Sequence, residues 1–338
     1  MKQTIFLIGN PAAGRNALRK INEAVAIIKN KGHDVQVLLT GKRGDAESFA
    51  RQISSEFGVK SSELRNDKNL ELITHDSKLL IIAAGGDGTY NEVINGIACT
   101  NIPMAIRPLG TTNVLAKELN IPDDIESALN IALRGRTQKV CLGRITLIPE
   151  VRSLKPPENS NTPPSPASLR EAGRAPLLTR HFLLMAGVGY DAETVYGIKN
   201  EIKRYFGKGA HILSGLKTLL RWAPDKLTFT MDGKSYEGYS AIICNASKYA
   251  GNFNVAPDAD MKNPSLYVFI MHGKRRGDIL RYVSGIITKR HLGFKDITYL
   301  KAERIDIRGN AHIQIDGDYL GETPAKIEVI PDALRLVY

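Results

Sequence analysis

No stretch of this chain reaches the roughly 20 consecutive apolar residues that a bilayer span requires, so any membrane contact is expected to be peripheral. Cysteine is scarce: Cys99, Cys141 and Cys244 are the only three in 338 residues, and they lie far apart. That number and spacing fit neither a disulfide framework nor a metal site. Each is expected to pack as a small apolar residue in a reducing, cytoplasmic setting. The N-terminal apolar run Ile5-Phe6-Leu7-Ile8 is too short for a secretory leader. No internal repeat and no nucleic-acid-binding motif is present. Acidic residues fall short of basic ones, 35 against 46, which leaves a formal charge of +11. A basic surplus points to nucleic acid, an anionic membrane or a phosphorylated substrate, and charge alone does not choose among them.

What is present suits a globular protein: 43% hydrophobic and 24% charged residues. The length suits two domains. The first third alternates strand and helix patterns. Strands are expected at Thr4–Ile8, Val35–Leu39, Leu79–Ala84 and Met104–Ile106. Helices are expected at Ala17–Asn30, with Leu18, Ile21, Val25 and Ile28 as the buried stripe, and at Asp45–Phe57, Asn91–Ile97, Val114–Leu119 and Ile125–Leu133. Such alternation with glycine-rich turns implies an open, mostly parallel sheet. Ligands bind such sheets at the carboxyl ends of the strands. The loops that gather there are 10–15, 40–45, 85–89 and 109–113.

After about residue 137 the pattern becomes strand-rich, with His181–Ala186 read as one strand and Ala325–Ile330 as the last. Asp232-Gly233, Gly309-Asn310 and Asp316-Gly317 are turn signals. This half reads as an antiparallel sandwich or barrel with inserted helices near 193–205, 212–222 and 276–288. The segment 149–176 is rich in Pro, Ser and Asn. It reads as an interdomain linker or, preferably, as a disordered hairpin loop whose flanking strands pair with each other.

The run Gly85-Gly86-Asp87-Gly88-Thr89 carries the most chemistry. It follows an apolar strand and opens a helix at Tyr90-Asn91-Glu92. The glycines let the backbone approach a ligand closely, and the helix N-terminus offers free N–H groups to a phosphate. A carboxylate there repels phosphate unless a cation intervenes, so Asp87 points to Mg²⁺ together with a nucleotide. The turn Pro108-Leu109-Gly110-Thr111-Thr112-Asn113 is a second phosphate-type loop, and equally an N-cap turn. Asn10-Pro11-x-x-Gly14 has the corresponding place after the first strand. Asp316-Gly317-Asp318 reads as a hairpin turn that leaves Asp318 free to serve as a general base.

Taken in order, these segments resemble the diacylglycerol kinase catalytic-domain family, which includes bacterial diacylglycerol and related lipid kinases, sphingosine kinases and ceramide kinases. Further matching segments are Thr40 with Gly44-Asp45-Ala46, Gly187-Val188-Gly189-Tyr190-Asp191-Ala192, Asn245 with Gly251, and Pro257-Asp258-Ala259. The resemblance implies an N-terminal Rossmann-like ATP domain at 1–137, with 323–338 returning to it, and a C-terminal β-sandwich lipid domain at 138–322. It implies ATP held by Thr40, the segment Gly86 to Glu92 and Thr111. Asp87 would organise Mg²⁺ at the phosphates. Asp318 would accept the lipid hydroxyl's proton, with Asp316 as competitor. Many relatives carry glutamate at the position of Asp318. A second, structural Mg²⁺ found in some bacterial members meets Asn263 and Pro264 here in place of aspartate and glycine, which leaves Asp260 as the carboxylate available to a metal.

The resemblance also gives the basic surplus a candidate purpose at an anionic membrane surface. Lys199, Lys203, Arg204, Lys208, Lys217 and Arg221 interleave with apolar residues, and Lys274-Arg275-Arg276 with Arg281 forms a second patch. An ordinary solvated helix face is the competing reading for both. Competing functions are a soluble kinase of the NAD kinase or phosphofructokinase type and a non-catalytic nucleotide-binding protein. Oligomeric state is open, a homodimer included.

Overall fold

The computed structural model describes residues 3–57, 79–148, 177–201, 218–219 and 222–338. The first domain is a parallel sheet between helices. β1 (Thr4–Gly9) lies between β2 (Asp34–Leu39) and β3 (Leu79–Gly85), and β3 pairs with β4 (Pro103–Pro108), all parallel. Alternation sorts the strand residues to two faces. Ile5, Leu7, Leu80 and Ile82 pack under α1 (Ala17–Asn30) and α5 (Ile125–Arg134). Phe6, Ile8, Ile81 and Ala83 pack under α2 (Asp45–Phe57) and α3 (Asp87–Ile97). The stripe that α1 buries is Ala17, Ile21, Ala24 and Ile28. Ile21 and Ile28 are as expected, Val25 packs half-buried against the same core, and Leu18 is exposed.

The second domain is an antiparallel sandwich. One layer runs β14 (Ile297–Ala302), β13 (Leu266–Met271), β10 (Ser240–Cys244), β7 (Met185–Val188), β16 (His312–Ile315), β17 (Asp318–Glu322). The other layer contains β5 (Thr137–Leu147), β6 (Thr179–Phe182), β8 (Leu227–Met231), β9 (Lys234–Gly238), β15 (Arg304–Arg308) and β18 (Ala325–Val337). Ile145, Phe182, Val188, Phe229, Ile243, Val268 and Ile327 fill the space between the layers. Each such side chain is stabilised by roughly 1.5–3 kcal/mol through burial.

The expected strand His181–Ala186 is two strands. β6 pairs with β5, Gly143 opposite Phe182, whereas β7 pairs with β10 and β16 in the other layer. Leu183 and Leu184 make the crossing between layers. Helix α3 begins at Asp87 rather than Asn91, so Gly88 and Thr89 lie inside its first turn. The polar strands β9 and β17 lack the apolar alternation that would have marked them. The segment 149–176 and the basic stretch 202–217 lie outside the described residues, as do Leu220 and Arg221.

β18 joins the two domains into one sheet. Its first half pairs antiparallel with β5 and β15, and its end runs parallel to β4, Arg335 opposite Pro103. The ladder to β5 is interrupted between Ile330 and Leu334, where Asp332 takes a positive φ of 53°. Such a bulge re-aims a strand. The Ala333 carbonyl leaves the ladder there and accepts from Cys99 N, 2.7 Å away.

Candidate active site

Three loops meet backbone to backbone at the carboxyl edge of the parallel sheet. The backbone N–H groups of Leu109 and Gly110 both donate to the Gly85 carbonyl, at 2.8 and 3.2 Å. A Cβ placed on Gly14 would sit 2.4 Å from the Leu109 carbonyl oxygen, and one on Gly110 would sit 2.8 Å from the Gly86 Cα. Real Cβ atoms do not come this close to backbone, so glycine is what lets the loops nest. Asn10 completes the seam. Its amide donates to Thr89 Oγ1 at 3.2 Å, and its carbonyl oxygen accepts from Ala12 N at 2.9 Å. Beneath the turn, the buried Arg107 donates from Nη1 to the Pro108 and Asp123 carbonyls at 2.6 and 3.1 Å. That residue was not foreseen, although an arginine closing the strand Met104-Ala105-Ile106 was a visible anomaly.

Asp87 opens α3 and points at the next helix. Its Oδ2 accepts from Val114 N at 3.0 Å and its Oδ1 from Leu115 N at 3.1 Å. These are first-turn groups of α4 (Val114–Glu118), which no earlier carbonyl of that helix can satisfy. Burial raises the pKa of Asp87, and the two amide bonds oppose that shift. Asp87 therefore locks the 110–113 turn to the glycine turn. Asn113, at φ 47°, donates to the Gly110 carbonyl at 2.8 Å. Its buried Oδ1 has no hydrogen-bond partner among the described residues. Thr111 is exposed at the lip and Thr40 is half-buried at the end of β2. Glu92 fixes the loop after Thr40 by accepting from Gly44 N at 3.0 Å.

The Asp-Gly-Asp segment supplies the second domain's part. Ile315 pairs with Asp318, and the two residues between them have φ of 47° and 85°. This is the geometry of a type I′ turn. Asp316 turns inward and is saturated. It accepts from Leu183, Leu184 and Met185 N–H groups at 2.8, 2.9 and 3.0 Å, and from Asn91 Nδ2 at 2.8 Å. Burial raises its pKa while these donors oppose the rise. Four donors leave it no room to take a proton from a substrate, so its geometry is that of a tie between α3 and the β6–β7 crossing. Asn91 belongs to the same tie: it also donates to the His181 carbonyl at 3.2 Å, and Asn95, one turn on, exchanges bonds with both backbone groups of His181.

Asp318 faces the other way. A Cβ on Gly88 would meet its Oδ2 at 3.5 Å. Arg43, from the first domain's 40–45 loop, lies 3.4 Å from its Oδ1. The Asp318 carboxylate of the second domain therefore lies against the glycine turn of the first, while the neighbouring Asp87 carboxylate is turned to α4.

Other expected positions stand apart. Asp260 is exposed and accepts from Lys262 N in its own turn at 3.0 Å. Among the described residues no three of His, Cys, Asp and Glu gather as a metal-holding group. Asp191, in the first turn of α6 (Tyr190–Glu201), is buried and accepts from Gln314 Nε2 at 2.6 Å and from the Tyr249 hydroxyl. Arg281 is paired with Asp296 and Asp278, so it does not belong to a free basic patch. A cavity of 880 Å³ opens in the second domain rather than over the glycine loops, between Trp222, Leu147, Leu178, Tyr239, Glu193 and His312.

The interdomain contact carries a pH signature. His181 is half-buried with its Nε2 enclosed, and desolvation followed by the charges of Arg144, Arg180 and Arg51 pushes its pKa down from 6.5 to about 4. The unfolded chain thus binds a proton between pH 6.5 and 4 that the folded chain refuses. Stability is complete above that window and falls as the pH drops through it, by up to about 3 kcal/mol. His181→Gln is expected to flatten this slope, read as the denaturant midpoint at pH 7 and at pH 4.5. An unchanged slope would remove His181 as its source.

Residues 4–145 match the family model described as the diacylglycerol kinase catalytic domain, and residues 185–338 match one described as the YegS C-terminal NAD kinase beta sandwich-like domain. The diacylglycerol kinase of Bacillus subtilis (strain 168) is 25% identical over 329 residues, covering 95% of this chain and 91% of that one. The diacylglycerol kinase of Staphylococcus aureus (strain Newman) is 24% identical over 332 residues, covering 96% and 89%. A solved diacylglycerol kinase from Bacillus anthracis str. Sterne covers 100% of this chain and 97% of its own, with a TM-score of 0.61 at 19% identity. A second solved chain from that organism reaches a TM-score of 0.69 at 22% identity, covering 100% and 95%. Both likenesses show the fold.

Proposed function

The chain belongs to the diacylglycerol kinase catalytic-domain family, and on that premise we propose that it transfers the γ-phosphoryl group of ATP to the hydroxyl of diacylglycerol or a related lipid. The observation that carries this reading is the position of Asp318: a carboxylate from one domain set against the glycine turn of the other, beside Gly88. Phosphoryl transfer asks for positioning and charge stabilisation more than for covalent chemistry.

The nested glycine loops fit a triphosphate. The first amides of α3 have no helical acceptor of their own, and the unpartnered Asn113 Oδ1 lies beside Gly110. Asn10, Gly14, Thr40, Gly85, Gly86, Gly88, Thr89, Glu92, Gly110, Thr111 and Asn113 form or brace that cradle, and Asn91, on α3, ties it to His181 and Asp316 of the second domain. Asp87 fits a Mg²⁺ held mainly by phosphate oxygens and water, since each of its oxygens already takes one amide. Bound there, the ion supplies neutralisation of charge on the phosphates. Asp318 takes the proton of the attacking hydroxyl, and Asp316 holds the turn from which Asp318 projects.

A second reading has one observation in its favour: the matched C-terminal model is described as NAD kinase-like. Incubation with γ-labelled ATP, Mg²⁺ and either dispersed lipids or NAD separates the two. Label is expected in a lipid product with diacylglycerol among the acceptors. Label in NAD alone would replace the lipid reading, and ATP binding without transfer to any acceptor would reject both.

A further inference from the structure

Helix α7 (Arg276–Ile287) buries Ile279, Tyr282 and Gly285 in the second domain. Its opposite side is not polar. Leu280 is 57% exposed, Val283 43% and Ile287 55%. Their spacing puts them in one line along the helix. Leu292, just beyond, is also exposed. Cations surround this stripe. From His272 to Lys295 there are seven lysines and arginines against one aspartate. Arg281 is spent on Asp296 and Asp278, whereas Lys274, Arg275, Arg276, Lys289, Arg290 and Lys295 are exposed and take no ion pair among the described residues. The surface also has an address. α7 packs against β12 (Phe253–Asn254), which forms a hairpin with β11 (Lys248–Tyr249). At the hairpin's tip a Cβ on Gly251 would lie 3.4 Å from Lys117 Nζ of α4, the helix that follows the 110–113 turn.

We propose that the α7 face seats the protein on an anionic phospholipid bilayer. The apolar line would enter the boundary between headgroups and acyl chains, and the flanking cations would meet lipid phosphates. A second copy of the chain is the poorer occupant, because two such rims brought face to face repel. The purpose of the seat rests on the lipid-acceptor reading, since it brings the glycine turn and Asp318 to the surface where a lipid acceptor resides. Its existence does not, and the test keeps the two apart.

The full chain is sedimented with vesicles of phosphatidylcholine alone and with vesicles containing phosphatidylserine, neither holding diacylglycerol. The wild type is expected to pellet with the anionic vesicles and to be released by salt. Leu280→Asp/Ile287→Asp, and separately Lys289→Glu/Arg290→Glu, are expected to weaken pelleting about tenfold or more. Thermal melting should not change, because these positions are exposed. Phosphorylation of a short-chain, water-dispersed diacylglycerol should also stay at the wild-type rate. Pelleting that ignores lipid charge, or variants that pellet like the wild type, would overturn the proposal. So would light scattering that shows a wild-type dimer split by the apolar variant with pelleting unchanged. A wild type that pellets as expected but phosphorylates no lipid would sink the kinase reading and leave the membrane seat standing.

Discussion

Asp318→Asn is expected to lower turnover with a lipid acceptor by about 10²–10⁴-fold, the usual contribution of a positioned general base. The fold should stay intact. Among the described residues the only ion pair at Asp318 is with Arg43 at 3.4 Å, and the two side chains are 24% and 55% exposed. Exposed pairs of this kind contribute roughly 0–1 kcal/mol. Melting temperature should therefore stay within a few degrees of wild type, and the KM for ATP should change little, because the lost group serves the acceptor. Asp318→Glu restores a carboxylate on a stem one methylene longer and should recover part of the turnover. Steady-state kinetics on both variants, with melting curves alongside, make the test. Wild-type kcat in Asp318→Asn would end the role assigned to this residue.

Asp316→Ala is expected to fail differently, by losing stability. Removing the carboxylate strands the N–H groups of Leu183, Leu184 and Met185 and the amide of Asn91 in the interior. Each orphaned donor costs on the order of 1–3 kcal/mol where water cannot reach it. Relaxation makes the total less than the sum, and about 3–5 kcal/mol is the expected loss, as for other broken buried charge networks. Alanine also fits poorly at a φ of 47°. Urea unfolding followed by circular dichroism reads the change. If the midpoint matches wild type, the inward carboxylate is not what ties α3 to the β6–β7 crossing. Together the two variants divide neighbouring aspartates into a reactive one and a fastening one.

Sequence reasoning reached the parallel sheet because its information is local. Leu79 to Ala84 is apolar over its whole length, and glycines punctuate its end. What it could not reach was set by partners distant in the chain. The aspartates at 316 and 318 look alike in sequence. Their difference comes from the type I′ turn, which sends one toward Leu183–Met185 and leaves the other at Gly88. The same bonds explain why His181–Ala186 reads as one strand and folds as two: both halves are apolar, and the break is imposed by a carboxylate more than 100 positions later. Asp87 was legible as special, but its engagement by Val114 and Leu115 was not. On α1 the small residues Ala17 and Ala24 are buried while Leu18 is left exposed, a difference that apolarity alone did not rank. Asn91 lay in a motif that suggested nucleotide, and its bonds to His181 and Asp316 at the junction between domains carried no local signal.

The bulge at Pro331–Ala333 lets one strand belong to both sheets, and this has a consequence for biogenesis. During synthesis the side of β4 that faces β18 has no partner until residues 334–337 have left the ribosome. The parallel sheet, though its other strands lie within residues 4–108, therefore carries an open edge until β18 is made. A nascent chain in that condition has a template for pairing with other strands, and β18 is the strand that closes it.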